Sequence, residues 1–236
     1  MSLLDNSVWE VLKSSFSAEI WSAIAPSIFA TLYMTLVASL IVLVLGLALG
    51  VLLTVTSPDG LYPIKWLYTV LGWLINTLRS LPQMVIIIML IPLARLLFGK
   101  SYGTNPCIVA IAASCIPMYA RVVESSILEI SKGKIEAAKS IGSSNFQIVV
   151  HVLLPETLPS LIRGFTIAVI AVLSMTALAG MFGAGGIGDI AVRYGYQRFQ
   201  HDKLLACIYV LVIIVQIVQW SGNLISNRIL KSRALI

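Results

Sequence analysis

IWSAIAPSIFATLYMTLVASLIVLVLGLALGVLLTVTSP, Ile20 to Pro58, has no charged side chain anywhere between Glu19 and Asp59. A helix crossing a hydrocarbon core needs about 20 mostly apolar residues. This run is longer than that and has no turn in its interior, so it predicts one span rather than two. We place that span at 27–55, with Pro26 in the first helical turn, where a missing N–H is tolerated. Ser57-Pro58-Asp59-Gly60 closes it with turn chemistry.

The same test applied outward along the chain finds three more uncharged stretches, Ser101 to Ala120, Gly164 to Gly188 and Leu204 to Asn227. Trp66 to Phe98 is apolar except for Arg79 and Arg95. The predicted spans are therefore 27–55, 66–98, 104–122, 162–182 and 204–227, in an all-α integral membrane protein with a single domain over 1–236. Hydrophobic residues make up 58% of the chain and charged ones 11%, with a mean hydropathy of +0.96. A soluble domain carries roughly 25% charged residues, so a soluble enzyme is excluded.

Five spans put the termini on opposite sides, and Lys/Arg bias in short loops sets the direction. Arg121, Lys132, Lys134, Lys139 and Arg163 share one side with Lys65, Arg228, Lys231 and Arg233. The other side holds Lys13, Lys100, Arg193, Arg198 and Lys203, the last three beside Asp189 and Asp202. The expected orientation has the N-terminus outside and the C-terminus cytoplasmic. The net charge of +6 and pI near 9.3 fit an anionic lipid surface, while basic residues scattered over loops argue against nucleic acid. Cys107, Cys115 and Cys207 lie in or beside spans, so no disulfide framework is expected. The N-terminus shows no cleavable leader pattern, and the whole chain is read as mature.

Catalytic and cofactor motifs are poorly supported. GAGGIG, Gly183 to Gly188, has the G-x-G-x-x-G form of a dinucleotide turn, which has meaning only inside a soluble strand–turn–helix unit. At the end of an apolar helix two other readings stand. The glycines either fold backbone back at membrane depth, where irregular structure must be buried in protein or line a watery cavity, or they make a plain helix terminus and turn. Ala94 to Ser101, ARLLFGKS, approaches a phosphate loop but lacks its first glycine and fills the loop with bulky residues. Any ATP is expected on another chain. His151 and His201 fall on opposite sides, which excludes a two-histidine metal site.

The segment 129–156 is long for a helix connection and has helix signals of its own. Ile135 to Gly142 is a helix-forming run ended by glycine, and Ser144 with Gln147 forms a capping box for a second short helix ending near Leu153-Leu154-Pro155. Ala137 and Ala138 leave room for close approach by a partner, ringed by Lys134, Glu136 and Lys139.

The spacing E-A-A-x3-G-x9-V-x-L-P, from Glu136 to Pro155, resembles the cytoplasmic signature of permease subunits of bacterial ABC importers, with Val152 where that family usually has Ile. Arg79-Ser80-Leu81-Pro82, the run ARVVESSILEISKGKIEAAKSIGSS from Ala120 to Ser144, and GAGGIG with Tyr194-Gly195-Tyr196 are similar to its methionine-uptake branch. The resemblance implies a type I importer permease fold, a transporter subunit rather than an enzyme, working as a homodimer in a bacterial inner membrane. It further implies two cytoplasmic ATPases holding ATP and Mg, with no cofactor in this chain, and a periplasmic or lipid-anchored substrate-binding protein. Glu136, Ala137, Ala138, Gly142, Leu154 and Pro155 would couple to the ATPase, and Gly183, Gly185, Gly186 and Gly188 would belong to a gate. Branches for osmolytes and phosphonates share these features and supply the alternative substrates. A membrane-embedded enzyme is the rival class, and a structural scaffold the third.

Three further features keep two readings each. Arg79, before the helix-breaking Pro82, is either functional or a snorkelling or ion-paired side chain. Ser174, Met175, Thr176 and Leu178 line a path or pack a bundle. Gly46 and Gly50, a G-x-x-x-G face, pack within the subunit or form the dimer seam.

Overall fold

The computed structural model describes the chain from Ser2 to Ala234, and its side chains from Val8 to Ser232. Met1, Leu235 and Ile236, and the side chain of Arg233, lie outside the described residues. The described residues are helical with no strand. The helices are α1 (Ser2–Ser14), α2 (Ala18–Thr56), α3 (Lys65–Ser80), α4 (Gln83–Met89), α5 (Ile91–Phe98), α6 (Thr104–Leu128), α7 (Lys132–Ser140), α8 (Asn145–Ile148), α9 (Leu154–Ala179), α10 (Gly186–Ile190) and α11 (His201–Ala234). Four continuous helical runs are long and apolar enough to cross a membrane: α2, α6, the run Asn145–Phe182 that contains α9, and α11. A fifth segment, α3 with α4, meets the same test only as a pair joined by a sharp bend.

That fifth segment differs most from the sequence reading. The stretch 66–98 is three helices: Pro82 has no N–H to continue α3 and forces Leu81 into extended backbone (φ −79°, ψ 139°), and Pro92 in the first turn of α5 has none to continue α4. The other predicted boundaries err by stopping at the first charge or proline. α2 begins at Ala18, so Pro26 sits inside it rather than in its first turn. Ile20 and Ile24 explain the extension, since both are buried against Ile187, Ala206, Cys207 and Val210. Packing there outweighs the local proline penalty. α6 runs on from 122 to Leu128 because Arg121 and Glu124, one turn apart, neutralise each other at 2.6 Å.

Proline is also passed at the start of the fourth crossing. The second short helix does not end at Leu153-Leu154-Pro155; a π turn over Val149–Leu153 leads directly into α9. The Leu154 N–H reaches back to the Val149 carbonyl, and the Thr157 hydroxyl donates to the Leu153 carbonyl at 2.8 Å. The wider turn accommodates Pro155 without ending the helix.

Two compact units emerge, and the long helices contribute residues to both. One unit, residues 2–39, Pro82–Ala113 and Ile170–Ile217, has its core at Ile20, Ile24, Ile187, Ala206, Cys207 and Val210, with Phe16 stacked on Tyr209 at 5.3 Å. The other, Leu40–Leu81, Ser114–Val169 and residues 218–234, is centred on Leu53, Ile75 and Ala120. In it the G-x-x-x-G face packs within the subunit. A Cβ on Gly46 would stand 2.8 Å from the Tyr119 ring, and one on Gly50 would stand 2.6 Å from the Ala120 carbonyl.

Gly50→Val is therefore expected to overpack the α2–α6 contact and destabilise the subunit by about 1–3 kcal/mol. A lower unfolding temperature in detergent is the predicted readout, and an unchanged one would contradict this packing. By contrast, α11 exposes Val212, Ile213, Ile217, Trp220 and Ile225, and only 17% of its apolar window is buried, against 67% for α6. A long apolar helix with so little protein cover is suited to lipid.

Candidate functional site

The 129–156 segment folds as an elbow. α7 ends at Ser140, and Gly142 takes φ +82°, the left-handed geometry that glycine adopts without penalty. Ser144 then caps α8 reciprocally, its Oγ accepting from the Gln147 N–H at 3.3 Å while its own N–H donates to Gln147 Oε1 at 2.8 Å. The elbow is tied to the α2–α3 loop: Asn145 Nδ2 donates to the Leu61 carbonyl at 3.1 Å, and Lys132 lies 3.7 Å from Asp59. Lys134 pairs with Glu156 at the start of α9.

The coupling candidates do not share one surface. Glu136, Ala137 and Pro155 are exposed and Leu154 is half-buried, but Ala138 is buried inside the chain at 7% exposure. Adjacent helical residues point about 100° apart, so only Ala137 of the two presents a small side chain outward. Two apolar residues outside the E-A-A pattern complete the surface: Ile141 and Phe146, 83% and 74% exposed on either side of Gly142. Their signal in the sequence was apolarity in an otherwise polar elbow.

The glycine turn is built differently. α9 tightens into a 3-10 turn over Gly180–Phe182, Gly183 turns left-handed at φ +78°, and Gly185 and Gly186 follow at φ +77° and +81°. Gly185, with ψ −160°, lies in a region open essentially only to glycine. The chain then doubles back so closely that Gly180 abuts the backbone of Gly188 and Asp189, and Gly188 abuts Ala177. The Gly183 carbonyl accepts from the Gly103 N–H at 2.8 Å, and Thr31 Oγ1 accepts from the Ile187 N–H at 2.8 Å. GAGGIG is thus a tightly packed, doubled-back turn, not a nucleotide loop. Likewise, the ARLLFGKS segment is the end of helix α5 with Gly99 as its left-handed cap.

Thr31 is 2% exposed. Thr31→Val keeps its shape but strands the Ile187 N–H, a loss of about 1–3 kcal/mol. The expected result is a lower unfolding temperature with uptake reduced several-fold. Unchanged stability would show that the bond does not hold the turn.

Of the helix α9 candidates, Ser174 and Leu178 face an open groove with Ala177, Leu211 and Val215, whereas Met175 and Thr176 are buried at 4% and 1%. Arg79 is exposed at the end of α3, with no ion pair among the described residues. Its salt-bridged reading therefore lacks a partner among the described residues.

Helices of membrane-crossing length, an exposed elbow between two of them and a doubled-back glycine turn define an integral membrane component. Residues 46–231 match the model for binding-protein-dependent transport system inner membrane components, and the chain belongs to that family. It is 38% identical over 178 residues to the probable D-methionine transport system permease protein MetI of Vibrio cholerae, covering 75% of this chain and 79% of that one. It is 40% identical over 176 residues to the methionine import system permease protein MetP of Bacillus subtilis, with the same coverages of 75% and 79%. Among solved structures, an inward-facing conformation of the MetNI methionine ABC transporter superposes with a TM-score of 0.88 at 35% identity, covering 91% of this chain and 99% of that chain.

Proposed function

We propose that this chain is the permease subunit of an ATP-driven methionine importer. It works as two copies, with two cytoplasmic ATPase subunits and a periplasmic or lipid-anchored binding protein. The observation that carries the coupling role is the elbow at Gly142, which is capped, tied to the neighbouring loop, and presents Glu136, Ala137, Ile141 and Phe146 to solvent. A surface of two large apolar side chains around a small one suits a protein partner. ATP and Mg belong to that partner, and this chain needs no cofactor of its own. The methionine reading rests on the relatives at 38% and 40% identity and on the structural neighbour.

In this reading the elbow faces the cytoplasm together with the C-terminus, and α1 lies outside. The GAGGIG turn, with Gly183, Gly185, Gly186 and Gly188, forms part of the outer gate. Pro82 sets the break in the second crossing, and Ser174 and Leu178 face the path, while Met175 supports it from within. ATP-driven closure of the ATPases moves the elbows and switches access to the path between the two sides. Pro155 and Leu154 pass that motion directly into α9, because the π turn makes elbow and crossing one continuous helix.

The test is uptake of labelled methionine into proteoliposomes holding the permease, its ATPase and its binding protein. Uptake should require ATP and be blocked by unlabelled methionine but not by an osmolyte or a phosphonate. Equal competition by either would move the chain to a neighbouring substrate class. Methionine turnover without uptake would favour an embedded enzyme.

A further inference from the structure

Lys65, Thr69, Gly72, Asn76 and Arg79 recur along α3 at i, i+4, i+7, i+11 and i+14, and so share one helical face. At 1.5 Å per residue, Arg79 lies about 21 Å along the helix from Lys65. In the importer reading α3 forms part of a crossing, so the stripe enters a hydrocarbon core about 30 Å thick. Asn76 and Arg79 are exposed in the single chain, and polar groups at that depth turn toward protein or water rather than lipid.

Against this face stands Arg121 of α6. Its Nη2 donates to the Gly72 carbonyl at 3.0 Å and its Nη1 to Glu124 Oε2 at 2.6 Å. Its Nε is buried with no acceptor. Tyr68, Asn76, Arg79 and Arg121 line adjoining parts of an open groove, whose far wall includes Glu124 and Ser125. The Glu124 carboxylate, 5% exposed, is already engaged by Arg121. Two guanidinium groups thus share the groove with one carboxylate, and Arg79 has no ion pair among the described residues. The groove carries a surplus positive charge beside hydroxyl and amide hydrogen-bonding groups.

We propose that this groove is a station for the carboxylate of the transported solute, with Arg79 as its receptor and the Arg121–Glu124 pair as a fixed wall. The inference rests on the importer reading and narrows its substrate class to solutes bearing an anionic group. Arginine is suited to the role because its planar fork engages both carboxylate oxygens and stays charged at any working pH. The engaged Glu124 offers no competing charge to Arg79, so the station is free to accept and release a mobile anion.

The experiment uses the whole transporter with its ATPase and binding protein in proteoliposomes, as wild type, Arg79→Gln and Arg79→Lys. Methionine and methioninol, which lacks the carboxylate, are the competitors. Wild-type uptake should yield to methionine and ignore methioninol. R79Q should lower uptake at least tenfold with the assembled complex and its basal ATP hydrolysis retained, and R79K should recover part of the rate. Wild-type uptake by R79Q would overturn the proposal. So would loss of the complex, which assigns Arg79 to an interface, or an effect that disappears in vesicles of zwitterionic phospholipid alone, which assigns the groove to a lipid headgroup. If the wild type imports a phosphonate instead of methionine, the substrate reading falls, but loss of that uptake in R79Q still supports the anion station.

Discussion

Gly142→Val is expected to reduce uptake at least tenfold while the permease still inserts, dimerises and unfolds near its usual temperature. The φ of +82° at Gly142 lies in the left-handed region, where a β-branched residue is a genuine outlier. No atom stands within 4 Å of the place a Cβ would occupy, so the substitution causes no clash and acts through the backbone alone. Strain of about 1–3 kcal/mol is relieved by moving the turn, which carries Ile141 and Phe146 away from their places on either side of it. Those two side chains are 83% and 74% exposed, so little of the fold depends on them while a docking surface would. Gly142→Asn, which tolerates the left-handed region better, should retain more uptake. Full transport by G142V would separate the elbow geometry from coupling.

Gly186→Val should act at the opposite kind of site, where conformation and space both forbid a side chain. Gly186 has φ +81°, and its Cβ would stand 2.6 Å from Thr31 Oγ1 and 3.0 Å from Met34 Cε. Thr31 cannot yield without weakening its bond from the Ile187 N–H. Backbone strain of about 1–3 kcal/mol and overpacking of a similar size add to about 2–6 kcal/mol. We expect both a clear fall in unfolding temperature and a loss of coupled uptake. Gly185→Val supplies the comparison: its φ is +77° but nothing lies within 4 Å, so it should show the strain without the clash and a smaller loss of stability. Equal stability of the two variants would show that the Thr31 contact is not the constraint.

The contrast between these glycines shows what the sequence could convey. An uncharged run long enough for a bilayer is a direct consequence of solvent, so the crossings were legible from Ile20–Pro58 and its counterparts. Ser144 with Gln147 and the glycine at 142 were equally legible, because capping and left-handed turns are local chemistry. Prolines misled where packing or a local change of helix type prevailed. Pro26 is carried inside α2 by the burial of Ile20 and Ile24, and Pro155 by a π turn and the Thr157 hydroxyl.

The elbow's outward face was only half legible. α7 is short and polar, so no apolar period indicates which way it turns, and Ala137 could not be told from Ala138 until one proved exposed and the other buried. The same distinction separates Ser174 from Met175 on α9. Arg121 and Glu124 are not legible as a pair in the sequence, where two charges mark the end of an apolar run, whereas their ion pair and the bond to the Gly72 carbonyl let α6 continue.

Ala137→Asp is the variant that separates docking from folding. Its side chain points outward, whereas the same change at Ala138 would bury a carboxylate inside the chain and unsettle the fold itself. In a complex, the carboxylate introduced by A137D would bring an unpaired charge into a closely packed surface, at a cost of several kcal/mol. The decisive measurement is ATP-dependent methionine uptake by vesicles holding equal amounts of wild-type or Ala137→Asp permease, with the ATPase retained by each tagged permease quantified in parallel. The wild type should hold its ATPase and import methionine, and the variant should insert normally but lose both. An Ala137→Asp permease that retains its ATPase and imports at the wild-type rate would contradict the claim that this elbow couples ATP hydrolysis to transport.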